Sequence, residues 1–227
     1  MANIFLKIFL VIAAYLIGAI NMATIVGKIK GKNVKKLGSG NPGTMNVMRS
    51  IGKGWGALTF AFDCAKGAVF SLIGRFAVDG GSTEWMLILG AVTVIGHIFP
   101  VYTKFKGGKG VATSLGMFMV ATPIVGPCVF LALILYLLVC KIGFIGSYLA
   151  VTALTVVNCV KYRSSIASIV LLLVVWALVI YRHKDNVKRF IRGKENTLSI
   201  VGKNEVKPLG DEQENAQEKS DDEARND

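Results

Sequence analysis

The sequence predicts an all-α polytopic membrane protein with seven transmembrane helices, the N-terminus external and the C-terminus cytoplasmic. Hydrophobic residues fill 53% of the 227 positions and mean hydropathy is +0.55, values that no soluble domain of this size would tolerate. Apolar segments long enough to cross a hydrocarbon core recur along the chain. The loops between them differ sharply in charge, and Lys/Arg-rich loops stay on the cytoplasmic side.

The first span, residues 4 to about 26, carries Lys7 and runs longer than the apolar core of a secretory signal. It also lacks an A-x-A cleavage site, so it reads as a retained helix. The loop at 27–53 holds seven Lys/Arg and no acid, which makes it cytoplasmic, whereas DGGSTE at 79–84 holds two acids and no base and is external. Between them lies span 2, about 55–78, in which Asp63 and Lys66 fall three apart on one helix face and are expected to neutralise each other. Span 3 covers about 85–101, and its His97 is expected to be a hydrogen-bonded packing residue. The short basic loop YTKFKGGKG at 102–110 returns the chain to the cytoplasm.

Residues 111–140 are an uncharged run of 30, about 45 Å as a helix against a hydrocarbon core of about 30 Å. Parity decides its path. A single crossing would leave Lys141 and, two spans later, the basic stretch RHKDNVKRFIRGK outside; a break at Pro123 or Gly126-Pro127 gives two crossings and returns both to the cytoplasm. Spans at about 143–159 and 165–181 complete the seven, with Lys161 and Arg163 running against the charge bias. Cys64, Cys128, Cys140 and Cys159 show no metal-ligand spacing and read as small hydrophobes, so no metal site is expected.

Residues 1–203 thus form a membrane-embedded domain with 23 Lys/Arg and 5 Asp/Glu. Residues 204–227 form a charged tail with nine acids, three bases and almost no large apolar side chain, a composition expected to be disordered.

Three unusual polar segments, at 38–49, 104–113 and 182–196, fall on the predicted cytoplasmic side and can share one site. In GSGNPGTMNVMR the glycines and Pro42 allow tight turns whose backbone N–H groups point into one concavity. Ser39, Asn41, Thr44 and Asn46 add neutral donors, and Arg49 adds a planar fork suited to phosphate. In FKGGKGVATSLG the glycines run into a helix starting near Val111, whose N-terminus with Lys106, Lys109 and Thr113 favours an anion. The spacing is not that of a nucleotide-binding P-loop, so nucleotide hydrolysis is not expected. The third segment carries His183 with Asp185, Asn186, Arg189 and Glu195, an imidazole placed to move protons near neutral pH.

These segments resemble a known family. GSGNPGTMNVMR, GHIFPVY followed by FKGGKGVAT, and RHKDNVKRFIRGKE are similar, in order and separation, to the three signature regions of the bacterial acyl-phosphate:glycerol-3-phosphate acyltransferases, over residues 5–196. The resemblance implies a seven-helix, multi-pass enzyme of the bacterial plasma membrane with a cytoplasm-facing site. Such an enzyme moves a fatty acyl group from acyl-phosphate to the sn-1 hydroxyl of glycerol 3-phosphate, releasing lysophosphatidic acid and inorganic phosphate, the first step of phospholipid synthesis. It implies no cofactor and no metal, a monomer, and glycerol 3-phosphate, acyl-phosphate and membrane lipids as partners, with no nucleic acid. Carried over by residue, it puts Ser39, Gly40, Asn41, Gly43, Asn46 and Arg49 at substrate phosphate. Lys106, Gly107, Gly108, Lys109, Gly110 and Thr113 join them, and His183, Asn186 and Glu195 become the catalytic group.

The H-x-x-x-x-D pair of other glycerophosphate acyltransferases is absent, since Tyr102 follows His97 and Lys188 follows His183 at that spacing. No nucleophilic triad assembles. The proton acceptor is then His183 or a substrate phosphate oxygen, and the residues leave both open. Two positions depart from the family: Asn21 stands in GAIN where members show proline, and Phe144 where they often show serine, so no serine is assigned there. The alternative reading is a small transporter or channel for a phosphorylated anion. The clustering of donor-rich loops at one face and the lack of an inverted repeat weigh against it.

Overall fold

The structure, a computed structural model, describes residues 4–197; the acidic stretch at 204–227, expected to be disordered, lies outside the described residues. The described residues form ten α-helices and no strand: α1 (Ile4–Ala19), α2 (Met22–Ile29), α3 (Thr44–Ser50), α4 (Lys53–Ala77), α5 (Thr83–Ile98), α6 (Val111–Ala121), α7 (Val125–Cys140), α8 (Gly143–Lys161), α9 (Ile166–Tyr181) and α10 (Lys184–Ile191). An all-α membrane fold is therefore correct at the level of class. By length and composition α4, the region from Thr83 to Thr103 that contains α5, and α8 are able to cross a bilayer. The bent pairs α1–α2 and α9–α10, at 42° and 43°, raise that number to five if each is one span.

The centre of the bundle is α4, packed against α3, α5 and α6, with α1 laid on α5 and α8 joined to α6, α7 and α9. Helices in lipid gain little from apolar contact alone and associate through close backbone approach at small residues. A Cβ on Gly67 of α4 would strike the Thr113 carbonyl of α6, and one on Gly116 of α6 would strike the Cys64 carbonyl of α4. The two glycines bring the helices together from both sides. Lipid-facing surfaces stay apolar, as along α7, where Leu131, Leu135, Leu138 and Val139 are all exposed.

The long run at 111–140 breaks at Thr122-Pro123-Ile124, one of the two places expected, giving α6 and α7 packed on each other. Pro127 then sits in the first turn of α7, where a missing N–H costs nothing. Lys161 explains its own awkward charge. Its ammonium donates to Ala121 O at 2.5 Å and Tyr162 Oη donates to the same carbonyl at 2.9 Å, so the C-terminus of α6 has a cation and a donor at its negative end.

The first stretch is not one helix. It breaks at Ile20-Asn21, where Asn21 caps α2 by accepting from Thr24 N at 2.8 Å and reaches across to donate to Pro42 O at 2.9 Å. An amide that serves as both cap and cross-link stabilises a bend where a continuous helix was expected.

Candidate active site

A cavity of about 350 Å3 opens between α3, α4, α6, α7, α8 and the start of α10. Its polar lining brings the three segments together: Ser39, Asn41, Gly43, Asn46 and Arg49 from the first, Lys109 and Gly110 from the second, His183, Asn186 and Glu195 from the third. Gly40, Lys106, Gly107, Gly108 and Thr113 do not line it.

The third segment is shaped by a Schellman turn. Gly193, at φ +67, ends α10, with Gly193 N donating to Phe190 O and Lys194 N to Arg189 O. The chain turns back and sets Glu195 beside α10, where its carboxylate accepts from Asn186 Nδ2 at 2.7 Å and from Arg189 Nε at 3.2 Å. Asn186 Oδ1 accepts in turn from Lys109 Nζ. An ordered chain thus runs Lys109, Asn186, Glu195, Arg189 across one side of the site.

The cations are held tense. Burial is the main force lowering the Lys109 ammonium to about 8; Arg189 and Arg49 push the same way, while Glu195 and Asp185 oppose them. Arg49 is lowered by burial, with Glu195 opposing and Arg189 adding to it. Its Nε and Nη1 are buried with no hydrogen-bond partner, which is costly unless an anion accepts from them.

His183 is almost fully buried, with Tyr148 packed edge-on at 5.6 Å. Its Nδ1 lies 2.7 Å from Val179 O; a carbonyl only accepts, so Nδ1 carries the proton and Nε2 the lone pair. Burial, then repulsion from Lys109, lowers the ring to about 4, and the Val179 bond opposes this only in part. An imidazole titrating near neutrality was expected, and the surroundings overturn that: the ring is neutral at pH 7 and a weak base.

Other residues stand elsewhere than the motifs suggest. Asn46 lines the cavity but spends its amide on the loop, donating to Val34 O and Leu37 O at 2.8 and 3.0 Å and accepting from Ser39 N at 3.1 Å. It shapes the loop that carries Ser39. Gly107 N and Gly108 N donate to Ile98 O and His97 O, so neither points freely at an anion; their carbonyls accept from Arg182 Nη2 and Nε at 2.8 and 3.3 Å. Lys106 is exposed, and Thr113 is buried at the α4–α6 contact. Asp63 and Lys66 form the expected ion pair at 2.8 Å, but the pair extends to His97, whose Nδ1 is 3.0 Å from Lys66 Nζ.

Residues the sequence did not single out include Ser147 and Asn196, both lining the cavity, with Ser147 Oγ donating to Gly143 O at 2.8 Å. The rest of the lining is largely apolar, with Met45, Met48, Ala57, Phe60, Phe130, Leu133, Ile134 and Leu137, and Phe60 stacks on Phe130 at 5.2 Å. One volume is therefore lined by both cations and hydrocarbon side chains.

A matching arrangement is known. The family model described as glycerol-3-phosphate acyltransferase matches residues 8–193. The chain belongs to the glycerol-3-phosphate acyltransferase family. A glycerol-3-phosphate acyltransferase of Aquifex aeolicus is 37% identical over 193 residues, covering 83% of this chain and 97% of that protein. One from Deinococcus radiodurans is 35% identical over 185 residues, covering 82% and 92%. Among solved structures, the integral membrane glycerol 3-phosphate acyltransferase PlsY in its glycerol 3-phosphate form shares 34% identity at TM-score 0.78, covering 86% of this chain and 96% of that one. Its lysophosphatidic acid form aligns at 0.74.

Proposed function

We propose that the protein transfers a fatty acyl group from acyl-phosphate to the sn-1 hydroxyl of glycerol 3-phosphate. The observation that carries this reading is the cavity itself, whose lining joins Arg49, with its Nε and Nη1 unpartnered, Lys109 and neutral His183 to a set of hydrocarbon side chains. Two phosphorylated substrates repel each other, and buried cations in a low-dielectric site offset that repulsion more strongly than they would in water. Ser39 and Arg49 hold one phosphate and Lys109 the other, while the acyl chain lies between Phe60 and the α7 residues.

In the transfer, the hydroxyl oxygen attacks the acyl carbonyl, the new ester C–O bond forms and the bond from acyl carbon to phosphate oxygen breaks. The hydroxyl proton ends on the departing phosphate. The phosphate oxygen freed as its bond to the acyl carbon breaks gains a full negative charge and is a stronger base than the His183 ring, held down to about 4, so it is the better acceptor. The His183 Nε2 lone pair orients the attacking O–H, and Asn186 and Glu195 hold Lys109 in place. No cofactor or metal enters this scheme.

The same reading takes the chain as a monomer of the bacterial plasma membrane, crossing seven times with the N-terminus external and the site at the cytoplasmic face. The loop charges and the break at Pro123 support that path. Purified protein in detergent, given an acyl-phosphate and glycerol 3-phosphate, is expected to form lysophosphatidate and phosphate in equal amounts without acyl-CoA. Uptake of glycerol 3-phosphate into sealed vesicles with no acyl transfer would favour a transporter instead.

A further inference from the structure

Inside the bundle, Asp63, Lys66 and His97 form a buried ionic cluster that plays no part in the transfer described above. Lys66 has three N–H bonds, and three acceptors meet them: Gly18 O at 2.9 Å, Ile20 O at 2.8 Å and His97 Nδ1 at 3.0 Å. Asp63 Oδ1 stands 2.8 Å from the ammonium as its counter-ion, outside hydrogen-bond alignment. Ionisable groups are expensive at this depth, and a simple helix pair on α4 would not need to reach two other helices.

The cluster touches both phosphate loops. On one side it clamps the carbonyls just before Asn21, and Asn21 Nδ2 holds Pro42 O, between Ser39 and Arg49. On the other, His97 O accepts from Gly108 N, and any Cβ at Gly108 would run into His97 Nε2, so the ring is the floor on which the residue before Lys109 rests. Arg182 grips the same glycines from the opposite face. Asp63 and His97 also line the cavity. The two loops also share an exposed bond, Lys35 Nζ to Lys106 O at 3.1 Å.

We propose that Asp63, Lys66 and His97 are positioning residues that fix the separation between the loop carrying Ser39 and Arg49 and the loop carrying Lys109. The inference rests on the acyltransferase reading and adds the spacer that sets how far apart the two phosphates are held. Near-attack alignment is sensitive to shifts of an ångström, so a spacer error appears in substrate use before it appears in folding.

The test compares wild type with His97→Asn, whose amide oxygen still accepts from Lys66 but withdraws the far end of the ring from Gly108, and His97→Gln, which reaches that position again. His97→Asn is expected to lower kcat about tenfold, with the KM for glycerol 3-phosphate changed less, while His97→Gln recovers most of the loss. Paired spin labels at the exposed positions Lys36 and Lys104 report the loop separation without reference to activity, and their distance distribution shifts in His97→Asn and returns in His97→Gln. Asn21→Asp keeps the side-chain oxygen that caps α2 but has no N–H for Pro42 O, and it shifts the same distance and the same kcat, which keeps the test open if His97→Asn does not fold. Unchanged distances and kcat in all variants, or a lowered unfolding temperature as the sole effect, overturn the proposal. Absence of acyl transfer by the wild-type protein sinks the underlying reading and leaves the spin-label result to stand or fall by itself.

Discussion

Lys109 donates its ammonium hydrogen to Asn186 Oδ1, so the cation of one loop is held by the first turn of α10. Asn186 is committed on both sides, because its Nδ2 is fixed by Glu195. Asn186→Ala frees the ammonium, and kcat/KM is expected to fall on the order of 10²-fold while the protein still folds. Asn186→Asp keeps the acceptor but sets a second carboxylate against Glu195, and it is expected to lose both activity and thermal stability. Steady-state rates and unfolding temperatures for the two variants separate these effects.

The same lysine sets an alkaline limit. Its ammonium loses its proton at about 8, chiefly because it is buried. The value of kcat/KM for glycerol 3-phosphate, which reports the free enzyme, is expected to fall as pH rises through that point. Lys109→Arg lowers the maximum but removes this limb, since a guanidinium stays charged. A pH profile of each form from pH 6 to pH 10 is the check (range chosen to bracket about 8).

His183 has the opposite consequence, for stability. Its folded pKa of about 4 is depressed from 6.5, mainly by burial. Between those values the unfolded chain binds a proton that the folded ring refuses. The stabilising contribution is therefore complete above pH 6.5 and lost as pH falls toward 4. His183→Asn is expected to flatten the dependence of unfolding temperature on pH in that window. A variant as acid-sensitive as wild type would assign the loss to other groups.

Arg49 is half-buried, with two buried nitrogens lacking partners, an arrangement that weakens the fold for the sake of binding. Arg49→Met is expected to abolish turnover yet leave the unfolding temperature unchanged or higher. Arg49→Lys keeps the charge without the planar fork and is expected to lose activity on the order of 10²-fold. A large drop in stability for Arg49→Met would mark the arginine as structural.

Much of this was legible in the residues because strong local signals agree. The apolar runs, a proline break in 111–140 and the donor-rich loops are local signals that charge parity orders into one path, and the loops meet as charge placement predicts. The bend at Asn21 was hidden because its cause lies in Pro42, 21 residues on. The roles of Gly107 and Gly108 were misjudged for a similar reason: flexible glycines suit an anion nest and a tight packing contact alike, and only the His97 ring distinguishes them. The hydrocarbon lining gave no signal at all. Phe130, Leu133, Ile134 and Leu137 form a helical stripe indistinguishable from one facing lipid.

The convergence of the three loops on one pocket is tested most directly by accessibility. With Cys64, Cys128, Cys140 and Cys159 replaced, single cysteines at Ser39, Lys109 and His183 are labelled in sealed vesicles by a membrane-impermeant reagent. Ser39 and Lys109 are expected to react from the same side and to be protected by glycerol 3-phosphate wherever the variant still binds it, and a cysteine at the buried His183, where it reacts at all, from that side too. Labelling of any one from the opposite side would contradict a shared site.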